Sequence, residues 1–281
     1  MEKVWQPQDK WFTDGDLRLH YLDWGNPGAT PMVLLHHHTG NAHYWDFFAQ
    51  NMRQDYHIIA VDQRGHGDSN WVGNYNFREY VADLTKLVEE LRLNDIVLIG
   101  HSLGGINAII YAAIHPDKVT RLVIVDIGPE LNTAGIEQIQ KYMANQPEAF
   151  NSKEEIIRQM ERGNPYCSED FIRHLVEYSL KRDESGRLIF KYDPALHRVE
   201  FGSLEWLWGY LEEIVCPALV VHGAESDLLL PEVARRMVKT LPFGSLVNID
   251  HAGHGVPGDD PAAFEAAVWR FLSGSTKMVN I

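Results

Sequence analysis

The stretch Ile96-Val97-Leu98-Ile99-Gly100-His101-Ser102-Leu103-Gly104-Gly105-Ile106 reads as a strand that runs through a sharp turn into a helix. Residues 96–99 are a short apolar run of the kind that fills a buried strand, and Leu103 to Ile114 is an apolar helix that Pro116 stops. Between them Gly100 to Gly104 matches G-x-S-x-G, extended by Gly105. A turn this tight pushes its middle residue into strained φ/ψ, so small residues must flank it. It also aims the Ser102 hydroxyl out of the sheet edge at a helix N-terminus, where N–H groups and the helix dipole favour developing negative charge. The plainer reading is a tight turn with Ser102 as N-cap.

The same alternation continues on either side. Residues 11–24 hold two alternating stretches around Asp14-Gly15, a hairpin signal. Residues 31–35 and Tyr56 to Val61 read as buried strands, and 77–93 as a helix with Phe77, Val81, Leu84, Val88 and Leu91 on one face. Val119 to Val125 is a further strand. Strands alternating with helices imply an α/β fold, a mostly parallel sheet with helices on both faces.

After Pro129 the rhythm changes, and residues 131–213 show helical patterns and charge without a comparable apolar strand run. Strand and helix then resume at 218–221, 231–241, 245–249 and Pro261 to Leu272. One core formed by residues 1–130 and 214–281, interrupted by a mostly helical insertion over 131–213, accounts for this. Two independent domains is the alternative, but the C-terminal part alone has too few strands to bury a core.

Composition narrows the function. Of 281 residues, 25 are Lys or Arg and 39 Asp or Glu, for a net charge of -14. That field repels phosphate surfaces, so no nucleic-acid or anionic-membrane partner is expected. No apolar run is long enough to span a bilayer, and residues 1–11 lack the apolar core of a signal peptide. Two cysteines, Cys167 and Cys216, make neither a disulfide framework nor a Cys-based zinc site. A soluble cytoplasmic protein, monomer or homodimer, is the expectation.

A serine hydroxyl needs a base, and a base needs an acid to hold its tautomer. Ala252-Gly253-His254-Gly255 follows the last strand and precedes the last helix, which puts His254 on the same sheet edge as Ser102; His251 lies next to the strand end and reads as structural. Asp227 follows the strand at 218–221 and gives the chain order Ser102, Asp227, His254. Its rivals are Glu225, Asp250 and above all Asp126, which directly follows Val119 to Val125.

These residues together resemble the α/β-hydrolase fold family, over nearly the whole chain. Besides the elbow, Asp62-Gln63-Arg64-Gly65-His66-Gly67-Asp68-Ser69 is similar to the family's D-x-R-G-x-G-x-S loop, and the Gly223…Asp227 loop and the Gly253-His254 pair also fit. The resemblance implies an eight-stranded, mostly parallel sheet with a helical lid inserted after the sixth strand. A serine at the elbow implies an esterase, a lactonase or a C–C bond hydrolase, and disfavours the dehalogenase and epoxide-hydrolase branches, which carry Asp there.

The resemblance also implies two oxyanion donors, the backbone N–H groups of Leu103 and, by position, His38. Here the chain departs from the family, which has H-G-x where this sequence has His36-His37-His38. A β-carbon at His37 restricts the backbone that positions the second donor. His36 and His38, with His101 nearby, also invite a metal reading, but no H-E-x-x-H or similar pattern accompanies them, so neither metal nor cofactor is expected. Arg64 and His66 read as residues that hold their loop. Near the end of the insertion, Phe201, Trp206, Trp208 and Tyr210 either pack the lid on the core or line an acyl pocket. The leading expectation is a serine hydrolase acting on a small-molecule acyl substrate, an ester or lactone. A C–C hydrolase of vinylogous diketones is the runner-up, disfavoured because His101, Leu103 and Gly255 stand where that branch often has Asn, Met and an aromatic. A ligand-sensing receptor that retains the triad is the alternative of another class.

Overall fold

The computed structural model describes residues 5–199 and 202–274. The chain opens with the antiparallel hairpin β1 (Gln8–Asp14) and β2 (Leu17–Asp23), turned at Gly15 with φ 60°. Then come β3 (Thr30–Leu35), α1 (Asp46–Met52), β4 (Tyr56–Val61), α2 (Phe77–Glu90), β5 (Ile96–His101), α3 (Leu103–Ile114) and β6 (Val119–Val125). Between β6 and the next sheet strand lie α4 (Thr133–Ala144), α5 (Lys153–Gly163), α6 (Glu169–Tyr178), a small hairpin of β7 (Leu180–Arg182) and β8 (Leu188–Phe190), and α7 (Leu207–Glu213). The chain then forms β9 (Ala218–Gly223), α8 (Pro231–Thr240), β10 (Gly244–Ile249), the short α9 (Val256–Asp259) and α10 (Pro261–Leu272).

Eight strands form one sheet in the order β1-β2-β4-β3-β5-β6-β9-β10. Every pairing from β4 to β10 is parallel; β1 and β2 pair antiparallel at one edge. Side chains alternate between two cores. Val33, Leu35, Ile96, Leu98, Leu122, Ile124, Ala218 and Val220 face the layer of α2, α3, α7 and α8. Met32, Leu34, Val97, Ile99, Val123, Val125, Leu219 and Val221 face the layer of α1 and α10. Because both faces are covered, the central strands are apolar throughout rather than alternating, which is why they read as continuous runs. Each such Val, Leu or Ile contributes about 1.5–3 kcal/mol by leaving water.

α2 is capped by Asn76, whose side chain accepts from the Glu79 N–H. It ends at Glu90, short of the expected 93, because the chain turns through Arg92 at φ 52°.

The residues between β6 and β9 divide into two parts. Phe150, Ile156, Ile157, Ile172, Val176 and Leu188 build a small core of their own. α7 instead belongs to the main core: Leu207, Leu211 and Ile214 are fully buried in it, against α3 and α8. The β7–β8 hairpin was not visible in the sequence, since three-residue strands are too short to show a period. Of the four aromatics near α7, Phe201 lies outside the described residues. Trp208 donates to Glu130 Oε1 at 3.0 Å beneath the Arg236 guanidinium, and Trp206 leans on Phe77 and Tyr210. Trp208 and Tyr210 pack against the main core, while Trp206 stays largely exposed. No helix among the described residues is long and apolar enough to cross a membrane.

Candidate active site

The carboxyl ends of the central strands are in register: Leu35 pairs with Gly100, His101 with Val125, Val125 with Val221, and Gly223 with Ile249. The loops that follow carry His36 to His38, Ser102, Asp126, Ser226 and His254 to a single edge, the place where open parallel sheets bind ligands. Backbone strain gathers there too. Thr39, Ser102, Asp126 and His251 all have positive φ, at 66°, 52°, 45° and 56°.

Ser102 sits at φ 52°, ψ -115° as the residue before α3. Its N–H donates to the Val125 carbonyl at 3.1 Å and its carbonyl accepts from Ile106 N–H at 3.0 Å, so both sides of its peptide are fixed. The flanking glycines are required by close approach. A Cβ on Gly100 would lie 2.1 Å from the Gly104 carbonyl oxygen, and one on Gly104 would lie 2.3 Å from that of Leu35. The Ser102 side chain makes no cap bond to the helix, which sets aside the N-cap reading.

The carboxylate that meets His254 is Asp126, not the expected Asp227. His254 Nδ1 lies 2.9 Å from Asp126 Oδ2. Asp126 is fully buried, while the His254 side chain keeps 24% of its surface exposed. Asp126 Oδ1 accepts from Gly223 N–H at 3.0 Å and Oδ2 also accepts from the Ser226 hydroxyl at 2.5 Å. Asp227 is exposed one residue further on, and its backbone carbonyl points to α4, accepting from Asn132 Nδ2 at 2.9 Å. The physical reason is adjacency. Asp126 leaves β6 directly, between the ends of β5 and β9, whereas after β9 the residue that turns inward is Ser226. Glu225 and Asp250 do not make this contact: the Glu225 N–H serves the Ala252 carbonyl, and Asp250 precedes the turn at His251.

His37 does not disturb its loop. It is absent from the positive-φ residues, and the left-handed turn falls on Thr39 instead, so a β-carbon at position 37 meets no backbone penalty. His36 Nε2 accepts from Gln63 N–H, so its Nδ1–H donates to the His37 carbonyl at 2.7 Å. His37 Nδ1 and the Thr39 hydroxyl donate to the His38 carbonyl at 2.7 and 2.6 Å, which fixes the orientation of the peptide that follows His38. Burial keeps these imidazoles neutral: His36 and His37 are pushed down to about 4, and His38 and His66 to about 3. They form a ring cluster, His36 on His66, His38 on His66, and His37 on His101, with centroids 4.9–5.9 Å apart. Both nitrogens of His36 are engaged, so it offers no metal ligand. Among the described residues the group with ligand atoms close together is His20, Asp62 and Asp68. There Asp62 Oδ2 already accepts from His20 and from Asp68 N–H, and Lys191 sits on Asp68.

Asp62 and Arg64 hold the loop after β4. Asp62 Oδ1 accepts from Ala42 N–H at 2.6 Å, and Arg64 forks onto Asp83 through Nε and Nη2, both at 2.6 Å. That loop in turn seats the residues between β6 and β9. Tyr75 donates to Asp193 Oδ2 at 2.5 Å and Asp193 N–H to the Gly65 carbonyl at 2.8 Å, while from the segment after β3 Asn41 Nδ2 donates to the Ser179 hydroxyl at 2.9 Å. Two supports of the site escaped the sequence reading, Ser226 under Asp126 and Asp259 under Gly253. Ser226 lies in a loop read only for its carboxylates, and its neighbour Asp227 drew the assignment.

The site thus has a buried carboxylate on a partly exposed imidazole, and on the same sheet edge a strained serine at a helix N-terminus. Residues 32–267 match the family described as the alpha/beta hydrolase family, and the chain belongs to it. Its relatives include the 3-hydroxybutyrate-oligomer hydrolase of Cupriavidus necator, 30% identical over 92% of this chain and 94% of that protein. The esterase Rv0045c of Mycobacterium tuberculosis is 28% identical over 86% of this chain and 82% of its own. Among solved structures, E-2-(acetamidomethylene)succinate hydrolase superposes with a TM-score of 0.86 over 95% of this chain and 99% of that one, at 23% identity, a likeness of fold.

Proposed function

We propose that this chain is a serine hydrolase that cleaves a small carboxylic ester or lactone through an acyl-enzyme, with Ser102 as nucleophile, His254 as base and Asp126 as acid. The observation that carries the reading is the 2.9 Å contact between His254 Nδ1 and Asp126 Oδ2, on the sheet edge where Ser102 is held at positive φ. With Nδ1–H donated to the carboxylate, Nε2 keeps its lone pair and takes the Ser102 proton as Oγ bonds to the substrate carbonyl carbon. The carbonyl oxygen becomes an oxyanion. Backbone N–H groups of Leu103, in the first turn of α3, and of His38, after β3, stabilise it. Collapse expels the alkoxide, which leaves with the proton from Nε2. Water then repeats the steps on the acyl-enzyme and frees Ser102. In a lactone the alkoxide stays attached to the acyl group. Asp126 is held in place by Gly223 N–H and the Ser226 hydroxyl. The residues between β6 and α7 act as a lid over this edge. The names of the Cupriavidus and Mycobacterium relatives support ester cleavage.

Ser102→Ala tests it on p-nitrophenyl butyrate and with a fluorophosphonate probe. Both turnover and labelling should vanish; a variant that still turns over or labels at the wild-type rate removes Ser102 as nucleophile.

A further inference from the structure

The loop that carries His254 is gripped at three consecutive residues. The Ala252 carbonyl accepts from Glu225 N–H at 2.9 Å. The Gly253 N–H donates to Asp259 Oδ2 at 2.8 Å. The His254 carbonyl accepts from His101 Nε2–H at 2.7 Å. The last of these comes from the residue next to Ser102 in the chain.

We propose that His101 is a positioning residue for the base: its Nε2–H holds the His254 backbone, so the dipeptide His101-Ser102 supplies both the nucleophile and the tether that sets its distance from the imidazole, with Asp259 as the second grip. This rests on the Ser102 and His254 reading above.

The side-chain chemistry favours a positioning role over simple packing. A carbonyl has no proton to give, so His101 Nε2 carries the hydrogen and Nδ1 the lone pair. Nδ1 is buried with no hydrogen-bond partner, an arrangement that costs stability and that a phenyl ring would avoid. The ring stacks on Tyr44 at 5.4 Å and touches His37 at 5.3 Å and the His254 ring at 4.9 Å, contacts that Phe would keep in shape. What Phe lacks is the donor. Burial also holds the His101 pKa well below the ordinary value, so no second positive charge forms beside a protonated His254. The anchor itself is stiff, since His101 ends β5 in register with Val125 and Ser102 N–H is bonded to that same residue. Asp259 reaches the loop from α9, at Gly253.

The test pairs variants that keep or lose the donor. His101→Phe removes it, and His101→Gln restores an amide N–H at the same distance along the side chain. Since a 1 Å misplacement can cost on the order of 100-fold, His101→Phe is expected to lower kcat about 10–100-fold with KM nearly unchanged, and His101→Gln to recover most of that loss. A folded His101→Phe with wild-type kcat overturns the proposal, as does equal impairment of both variants, which would mean that ring shape and not the donor matters. Asp259→Ala and Asp259→Asn form an independent pair, since Asn still offers an oxygen to Gly253 N–H. Ala is expected to lower kcat and Asn to restore it, and equal activities overturn the second grip. Should His101→Phe fail to fold, the proposal stands or falls on His101→Gln, which must retain most of the wild-type kcat. Ser102→Ala measured alongside keeps the two ideas apart. If it stays active the nucleophile is wrong, and if it is dead while His101→Phe is not, only the positioning role is wrong.

Discussion

Replacing Asp126 by Asn separates the two candidate acids most sharply. Asp126 Oδ2 receives two bonds, from His254 Nδ1 and Ser226, and Oδ1 receives the Gly223 N–H. An amide cannot satisfy all three. With its oxygen on Gly223, its NH2 faces His254 Nδ1 and forces the proton to Nε2, where it blocks the lone pair that Ser102 needs. With its oxygen on His254, the NH2 opposes the Gly223 N–H, donor against donor, in a fully buried site. A wrong tautomer of this kind drops kcat about 10⁴-fold in the best-studied serine triad, or ~5 kcal/mol of barrier. Asp126→Asn is therefore expected to lose about three to four decades in kcat. Asp227→Asn, exposed and engaged through its backbone carbonyl, is expected to stay within about twofold, since exposed substitutions rarely matter. The assay is kcat and KM on p-nitrophenyl butyrate, with fluorophosphonate labelling rates as a second readout. A larger loss in Asp227→Asn than in Asp126→Asn would refute the reasoning.

Ser102 is held at φ 52°, so Ser102→Gly should be more stable than Ser102→Ala by about 1 kcal/mol, a rise in Tm of a few degrees; equal melting temperatures would mean the elbow stores no strain. Gly104→Ala puts a Cβ 2.3 Å from the Leu35 carbonyl oxygen and should cost about 3 kcal/mol or more in denaturant unfolding, against near-zero if the backbone simply gives way. The buried imidazoles His36, His37, His38 and His66 sit at about 4 or 3 when folded and near 6.5 when unfolded. Their folded pKa values are lowered, so the unfolded chain binds the extra protons and stability falls as pH drops below about 6.5. Asp62, held at about 2 by His20 and backbone N–H groups, adds a further loss below about pH 4. Unfolding free energies at pH 7.5 and 5 should differ by at least ~2 kcal/mol, and a flat profile across that interval would rule out neutral burial of these rings.

The elements that read clearly in the sequence are those whose cause is local. α3, β4, β6 and α10 run over the residues expected from apolar runs and Pro stops, because a strand buried on both faces and a helix against it need only contiguous side chains to declare themselves. The elbow was legible for the same reason: Gly100, Ser102 and Gly104 are near neighbours and their steric need is written in one pentapeptide. Residues 131–213 were legible as a change of rhythm, but not α7's place in the main core, which depends on α3 and α8 receiving Leu207 and Leu211. The partner of His254 belongs to the same class of question. Asp126 and Asp227 both follow strands, and nothing local to either says which turns inward. The answer depends on three strand ends side by side, on Gly223 and Ser226 donating to Asp126, and on a loop 128 residues further along the chain. Periodicity and steric exclusion act over a few residues, so the sequence determines the fold and the strained turn that carries Ser102. Hydrogen-bond geometry acts through space, so only the tertiary structure chooses the carboxylate that the imidazole meets.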